Sequence, residues 1–399
     1  MLRVVFLALL FWAVVNGSEI RVGLEVLIDR QLDRDFQGKR VALLTHAAAV
    51  DRSLTPSYEL LMSRAKKWQL VCLLAPEHGL DGATHAGESV KDGQRKEIPI
   101  YSLHGPRRRP TEAMLSGIDI ILVDLQDIGL RYYTYISTLF YCMEEAAKKG
   151  IEVVVLDRPN PLGGMLVDGP MLEESVRSFV GYVNVPICHG MTIGEIARYF
   201  KGEYHIDCPL RVIAMEGWKR TDRYTQLGRA WIPPSPNIPE PDTPIFCAMT
   251  GPIGELGILN IGIGYTLPFK LIGAPWIDSA SLAQALNQMR LPGVKFRPIS
   301  YRPFYGKFKD ELCHGVQLVI TDWKQVRPTQ VCFALLAALK ERYPKQVAAA
   351  MTATTADRRA MFHKVLGTET IWQLLQQDRS PYSKMLALHK PQRQDFYQK

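Results

Sequence analysis

Residues 117–138, GIDIILVDLQDIGLRYYTYIST, join a buried strand to a dense set of polar side chains. The nearly unbroken apolar run from Ile118 to Val123 is short and rich in β-branched residues, which is typical of a strand inside a parallel sheet. The run ends in a polar segment, and Gly129 then turns the chain. Ligands bind at the carboxyl edge of open α/β sheets, so we predict that this segment lies at the rim of a binding site.

Strand and helix patterns alternate around this stretch. Strands are predicted at residues 41–44, 70–74, 118–123 and 151–156, and this alternation indicates βαβ units and a parallel sheet. Polar residues follow each strand, and we expect all four sets to lie at one edge of the sheet. The sets are Thr45-His46, Glu77-His78, Asp124 with Asp127, and Asp157-Arg158 with Asn160.

The sequence predicts an α/β protein in three parts. Residues 1–18 have the pattern of an export signal, with Arg3 ahead of a short apolar run. Residues 19–204 are predicted to form a Rossmann-like domain with a parallel sheet. Residues 205–399 are predicted to form a smaller α+β domain that contributes to the cleft. The Pro-rich stretch 233–239 is expected to be a boundary or a wall of that cleft.

This pattern predicts an exported protein, either periplasmic or secreted. A membrane contact is expected only through the signal segment, if that segment stays uncleaved. The formal net charge of +8 favours anionic partners such as cell-wall glycans.

Several classes of function lack their sequence signatures. The basic run at 107–109 has no aromatic or Gly-rich nucleic-acid module beside it. Neither G-x-G-x-x-G nor G-x-x-x-x-G-K occurs, so we predict no nucleic acid, no nucleotide and no cofactor. The seven cysteines are widely spaced and form no C-x-x-C pair, which argues against a metal cluster and favours buried thiols.

Three carboxylates, Glu77, Asp124 and Asp127, are the main candidates for chemistry. Glu77 follows a buried strand, where desolvation is expected to raise the pKa of Glu77, as a general acid requires. Asp124 and Asp127 have three interpretations: a second catalytic carboxylate, a ligand for sugar hydroxyls, or a partner of Arg131 and Arg158 in an internal ion pair. Glu195 follows Thr192 at the spacing of a helix capping box, and we interpret it as structural.

The motifs of this chain resemble those of the NamZ-type bacterial exo-β-N-acetylmuramidases, a family long catalogued as a domain of unknown function. The segments that carry the resemblance are APEHGLDGATHAGESV (75–90), IPIYSLHG (98–105), DIILVDLQDIGLRYYTYISTL (119–139), VVLDRPNPLGG (154–164), DGPMLE (168–173), SFVG (178–181), HGMTIGEIA (189–197) and PPSPNIP (233–239). The resemblance runs from about Gly23 to the end of the chain and is weaker in the C-terminal part.

This resemblance implies a Rossmann-like catalytic domain followed by a smaller auxiliary domain. It also implies removal of terminal β-linked N-acetylmuramic acid, or a related amino sugar, from peptidoglycan fragments. Glu77 corresponds to the Glu of the E-H-G motif, and we predict that it is the general acid. Asp127 or His78 is then expected to activate the attacking water or to stabilise the developing positive charge. The residues implied to line the sugar site are Asp124, Gln126, Asp127, Arg131, Tyr132, Asp157, Arg158, Asn160, His189 and Glu255.

Two positions depart from the family pattern. Ile263 stands where members commonly have Arg, and His46 stands where Asn is usual. If that Arg binds the lactyl carboxylate of muramic acid, the substrate choice of this chain stays open. The stereochemical outcome also stays open, because it depends on the separation of the carboxylates.

Two alternatives to a metal-free glycosidase remain at this point. The loss of Arg at position 263 is compatible with a glycan-binding protein that has no catalytic activity. The other alternative is metal-dependent hydrolysis with His78, His85, His104 and Asp127 as ligands, although their spacing matches no zinc pattern.

Overall fold

The computed structural model describes residues 20–398, so the predicted export signal lies outside the described residues. The elements of the first half, in chain order, are α1 (Gly23–Asp29), β1 (Arg40–Thr45), α2 (Ser57–Arg64), β2 (Gln69–Ala75), β3 (Gly93–Arg95), β4 (Ile98–Ser102), β5 (Ile120–Asp124), α3 (Tyr135–Ala147), β6 (Glu152–Leu156), β7 (Val167–Asp168), β8 (Cys188–His189), α4 (Ile193–Glu203) and β9 (Leu210–Ile213).

The second half is rich in helices. Its elements are α5 (Thr243–Gly254), β10 (Leu271–Ala274), α6 (Ser279–Gln288), β11 (Val294–Tyr301), β12 (Cys313–Ile320), α7 (Pro328–Arg342), α8 (Pro344–Ala353), α9 (Ala356–Leu366), α10 (Thr370–Gln377), α11 (Tyr382–Ala387) and α12 (Lys390–Gln398). Short 3-10 helices lie at Leu32–Phe36, Glu174–Val176 and Tyr224–Gln226.

The central sheet has seven strands in the order β3-β4-β2-β1-β5-β6-β9. Every neighbouring pair is parallel except β3 with β4. Without the antiparallel edge strand β3, this is the 3-2-1-4-5-6 order of a Rossmann fold, so the predicted fold class is confirmed. The strand order reverses between β1 and β5, and ligands of open α/β sheets bind at such a topological switch point.

The apolar runs of the sequence are explained by helices on both faces of the sheet. Val41 and Leu43 of β1 pack with α1 and α2, whereas Ala42 and Leu44 pack with α3 and α4. Because successive side chains of a strand point to opposite faces, both sets must be apolar.

The second half contains a three-stranded antiparallel sheet of order β10-β12-β11 with helices around it, as the predicted α+β domain requires. Its core also takes side chains from the first half, among them Ile128, Leu130 and Leu162. Strand β9 pairs with β6 in the central sheet, although it lies after residue 204, where the sequence placed the end of the first domain.

All seven cysteines are buried and unpaired, in agreement with the thiol interpretation. Between residues 20 and 398, no helix has both the length and the apolar character that a membrane span requires.

Candidate active site

The carboxyl ends of β1 and β5 meet at His46. The backbone N–H of Gln126 donates to His46 Nε2 at 2.9 Å, so the ring proton lies on Nδ1. Burial, together with the charges of Arg158 and His78, lowers the pKa of His46 well below its usual value. His46 is therefore a neutral side chain at the switch point of the sheet. The predicted convergence of polar side chains at one sheet edge is confirmed for these two strands.

Glu77, just after β2, is a buried carboxylate with a donor on each oxygen. The backbone N–H of Gly87 donates to Oε1 at 2.8 Å, and the Thr134 hydroxyl donates to Oε2 at 2.5 Å. His104 Nε2 lies 3.6 Å from Oε1. Glu77 thus joins a loop after β2, a loop after β4 and the N-terminal end of α3.

The predicted rise in the pKa of Glu77 is wrong. Burial raises the pKa of this carboxyl, but the Thr134 hydroxyl, the His104 ring and the Gly87 amide together outweigh burial and hold the pKa below its usual value. A carboxylate is stabilised by hydrogen bonds made to its charged form. Glu77 is therefore ionised near neutral pH in the free protein.

His78 occupies a tight turn next to Glu77. Its backbone has a φ of +71°, and its Nδ1 donates to the carbonyl of Thr84 at 2.7 Å. This bond leaves the basic nitrogen on Nε2. His78 can therefore accept a proton at Nε2 in the neutral state.

Tyr135, the first residue of α3, connects these groups. Its ring lies 4.7 Å from the ring of His46 and 6.5 Å from that of His78, measured between centroids. Its hydroxyl donates to the carbonyl of Pro234 at 2.7 Å and lies 3.3 Å from the carbonyl of Glu77. The Pro-rich stretch 233–239 therefore packs against the candidate site, and we call it the Pro-rich wall.

Asp127 and His189 form a second polar pair at this edge. The Gly129 N–H donates to Asp127 Oδ2 at 2.7 Å, and His189 Nε2 lies 3.5 Å from the same oxygen. His189 Nδ1 accepts from the Met191 N–H at 3.2 Å, so the proton of the neutral ring lies on Nε2. Asp127 Oδ1 and His189 Nε2 are buried without a hydrogen-bond partner among residues 20–398. A buried polar atom without a protein partner leaves room for a bond to water or to a ligand.

Family models match almost the whole chain. The model for the N-terminal domain of the exo-β-N-acetylmuramidase NamZ matches residues 41–242, and the model for its C-terminal domain matches residues 247–399. The chain belongs to the NamZ family. The peptidoglycan β-N-acetylmuramidase NamZ of Bacillus subtilis strain 168 is 40% identical over 329 residues, which cover 82% of this chain and 79% of that protein.

Two crystal structures share the fold of this NamZ family member. Both are DUF1343 family proteins from Bacteroides fragilis NCTC 9343, and each alignment covers 95% of this chain and 97% of the other. One has a TM-score of 0.88 at 38% identity, and the other has a TM-score of 0.70 at 25% identity.

Asp124 forms the internal ion pair that was one of its three interpretations. Its carboxylate oxygens accept from Arg158 Nε at 2.6 Å and from Arg158 Nη2 at 2.9 Å. Both side chains are buried. In this NamZ family member the Asp124 side chain is fully buried in this pair and is not exposed to a sugar hydroxyl.

Arg131 points into the protein interior rather than into the cleft. Its guanidinium donates to the carbonyls of Pro170 at 2.7 Å, Val185 at 2.8 Å and Val365 at 3.2 Å. The side chain is fully buried, and burial lowers the pKa of Arg131 to about 9. Instead of the predicted contact with substrate, Arg131 ties together the segment after β7, the loop before β8 and helix α9.

Asp157 and Asn160 also serve the backbone. Asp157 accepts from the Gly194 N–H at 2.8 Å and from the Thr192 hydroxyl at 2.9 Å, which fixes the start of α4. Asn160 donates to the carbonyl of Met191 at 3.0 Å and accepts from the Leu162 N–H at 2.9 Å. Their side-chain oxygens and the Asn160 amide are thus engaged in holding the loops of the site.

Gln126 and Tyr132 also donate hydrogen bonds to backbone carbonyls. The Gln126 amide donates to the carbonyls of Asp127 at 2.8 Å and Pro159 at 2.9 Å. The Tyr132 hydroxyl donates to the carbonyl of Cys247 in α5 at 3.0 Å. Glu255 follows α5 and is half-buried; burial raises the pKa of Glu255, and the charge of Arg358 opposes the rise.

The capping-box interpretation of Glu195 is confirmed. Its backbone N–H donates to Thr192 Oγ1 at 3.1 Å, and its carboxylate accepts from the Thr192 N–H at 3.0 Å. Ile263, which stands where family members commonly have Arg, packs against the hydrophobic core of the second half. Position 263 therefore lacks the charged side chain that an Arg would supply.

The sequence suggested no role for Thr134 or Tyr135, and it suggested His104 only as a possible metal ligand. His104 lies two residues after β4, a short strand whose half-buried pattern gives a weak signal. The available sequence signals were the IPIYSLHG motif, which contains His104, and the polar run after β5, which contains Thr134 and Tyr135. Within the described residues, no three His, Cys, Asp or Glu side chains are grouped as a metal site requires.

Proposed function

We propose that this protein is an exported glycoside hydrolase that removes terminal β-linked N-acetylmuramic acid from peptidoglycan fragments. The carrying observation is the ionisable Glu77 at the carboxyl edge of the sheet, on the same edge as Asp127 and His189 with their unpartnered polar atoms. The 40% identical relative that is named a peptidoglycan β-N-acetylmuramidase supports this substrate class.

In the proposed reaction, Glu77 donates a proton to the glycosidic oxygen. Since Glu77 is ionised in the free protein, it must take up a proton when the sugar covers it and removes the remaining water. Asp127 keeps Oδ1 free while the Gly129 N–H donates to Oδ2. It therefore accepts a proton from the attacking water or orients the acetamido group of the substrate, and His78 can accept a proton through Nε2.

The first experiment compares release of a chromophore from β-glycosides of N-acetylmuramic acid and N-acetylglucosamine. Wild type is expected to prefer the muramic compound, and Glu77→Gln is expected to lower kcat by at least about 100-fold, because it cannot donate or accept the proton. Glu88→Gln is the matched control, because Glu88 is an exposed carboxylate in the same loop. Activity is expected to persist with a chelator.

The possible failures have different meanings. Preference for the glucosamine compound would assign a different sugar, as expected if Ile263 changes the specificity. No turnover of either compound, together with measurable binding to wall fragments, would favour the glycan-binding alternative. Loss of activity with the chelator would favour metal-dependent hydrolysis.

The export part of the proposal is supported by residues 1–18 alone. N-terminal sequencing of the protein recovered from the periplasm or medium should find a chain that begins close to residue 19. Recovery of the full-length chain in the cytoplasm would contradict export.

A further inference from the structure

Two large aromatic side chains lie exposed beside each other after β11. Phe304 is 56% exposed and Tyr305 is 43% exposed, and their ring centroids are 5.7 Å apart. Exposed apolar patches on soluble proteins often mark binding surfaces. We call these two rings the aromatic lip.

The backbone under the aromatic lip is firmly held. The Phe304 N–H donates to the carbonyl of Gly264 at 2.8 Å, and the Asp310 N–H donates to the carbonyl of Pro303 at 2.8 Å. A Cβ at Gly264 would lie 1.9 Å from the carbonyl oxygen of Tyr305, so only glycine permits this approach. The two rings are therefore presented by an ordered loop, which lowers the entropy cost of binding a ligand.

The aromatic lip is continuous with the candidate active site through the Pro-rich wall. The Tyr305 hydroxyl donates to Asn237 Oδ1 at 3.4 Å, and Asn237 belongs to the stretch 233–239. In the same stretch, the carbonyl of Pro234 accepts from Tyr135, whose hydroxyl lies 3.3 Å from the carbonyl of Glu77. A ligand that extends out of the site along this wall would reach Phe304 and Tyr305.

We propose that the aromatic lip binds the sugars on the leaving-group side of the scissile bond in peptidoglycan fragments. This inference rests on the proposed function. An enzyme that removes the terminal sugar holds that sugar in its site, so the rest of the bound glycan must extend out of the site along one wall. Aromatic rings offer a large apolar surface with few rotatable bonds, which suits the flat C–H face of a pyranose.

The charges around the lip agree with this occupant. Arg302, Lys307 and Lys309 lie in the same loop, with Asp310 and Glu311 as its acidic residues. The Lys307 ammonium lies 4.9 Å from the centroid of the Phe308 ring. The loop therefore has a small positive excess, which favours a glycan that carries carboxylates.

The test uses the double variant Phe304→Ala/Tyr305→Ala and two substrates of N-acetylmuramic acid. One is an oligosaccharide fragment of peptidoglycan, and the other is the methyl β-glycoside, whose leaving group is too small to reach the lip. The ratio of the two kcat/KM values, oligosaccharide over methyl glycoside, is expected to fall about tenfold. An unchanged ratio would overturn the proposal.

Two further variants serve as controls. Tyr305→Phe keeps the ring and is expected to retain the wild-type ratio. Tyr397→Ala removes an aromatic residue that is 60% exposed on α12, and it is expected to have no effect. If Tyr397→Ala lowered the ratio as much as the double variant, the effect would not belong to the lip.

Binding separates this proposal from the proposed function. Calorimetric titration of the same oligosaccharide into Glu77→Gln protein, with and without the double variant, measures the contribution of the lip without turnover. A roughly tenfold higher Kd in the double variant would support the lip even if wild type released no sugar. Equal Kd values would overturn it, whatever the activity of the wild type.

Discussion

At the scale of single residues, Thr134 helps to keep Glu77 ionised. Its hydroxyl stabilises the carboxylate, so Thr134→Val is expected to raise the pKa of Glu77. A general acid is active while it holds its proton, and kcat/KM reports the free protein. The descending limb of the kcat/KM profile against pH should therefore move to higher pH in the variant.

The control for this prediction is Thr138→Val. Thr138 lies one turn further along α3, and its hydroxyl donates to the carbonyl of Thr134 rather than to Glu77. Its pH profile should match that of wild type. A limb that stayed in place, or moved to lower pH, in Thr134→Val would mean that Glu77 is not the group that the profile reports.

At the scale of elements, Asp157 holds the N-terminal end of α4, and its titration makes the stability of the protein depend on pH. Burial raises the pKa of Asp157 to about 6 from 3.8, against opposing hydrogen bonds from Gly194 and Thr192. The folded state therefore holds this proton more tightly than the unfolded state. The corresponding stability, about 3 kcal/mol, is present below pH 4 and is lost as the pH rises through 6.

Asp157→Asn should remove this pH dependence, because the amide keeps an acceptor for the Gly194 N–H but does not titrate. Urea unfolding at several pH values between 4 and 7 measures the slope, and Asp207→Asn, at an exposed position, should keep the wild-type slope. If Asp157→Asn and wild type had the same slope, Asp157 would not be the group responsible.

The elements also show what the sequence could predict. Strands β1, β2, β5 and β6 were predictable because a sheet covered on both faces requires unbroken apolar runs. Strand β4 was not, because its side chains are half-buried and include Pro99. The convergence at the sheet edge followed from parallel topology alone.

The partners of the buried polar groups could not be predicted in the same way. Thr134 is 57 residues from Glu77 in the chain, and no local pattern indicates that its hydroxyl would reverse the effect of burial on the pKa of Glu77. Arg131 stands among site residues in the sequence, yet its bonds lead to three distant carbonyls.

At the scale of the whole molecule, Arg131 ties the two halves together. Its guanidinium reaches the carbonyl of Val365 in α9, and Gly367 makes room for it, since a Cβ there would lie 2.3 Å from Arg131 Nη2. Arg131→Met would leave three carbonyls without this donor, so we expect a loss of about 3 kcal/mol in the free energy of unfolding.

Denaturant unfolding of Arg131→Met and Arg131→Lys checks this expectation. Lysine keeps a charge but lacks the planar fork, so Arg131→Lys should also be destabilised, by less than Arg131→Met. A methionine variant as stable as wild type would show that the three carbonyls find other donors.

The burial of all seven cysteines has a practical consequence for labelling. Burial raises the pKa of Cys72 and Cys247 to about 12 and that of Cys208 and Cys313 to about 11, and the pKa values of the other three thiols are raised as well. Since the thiolate is the reactive form, these thiols should resist maleimide dyes while the protein is folded. Glu88→Cys would then supply one reactive thiol on the loop that carries Glu77, and a fluorophore there could report sugar binding without removal of any native cysteine.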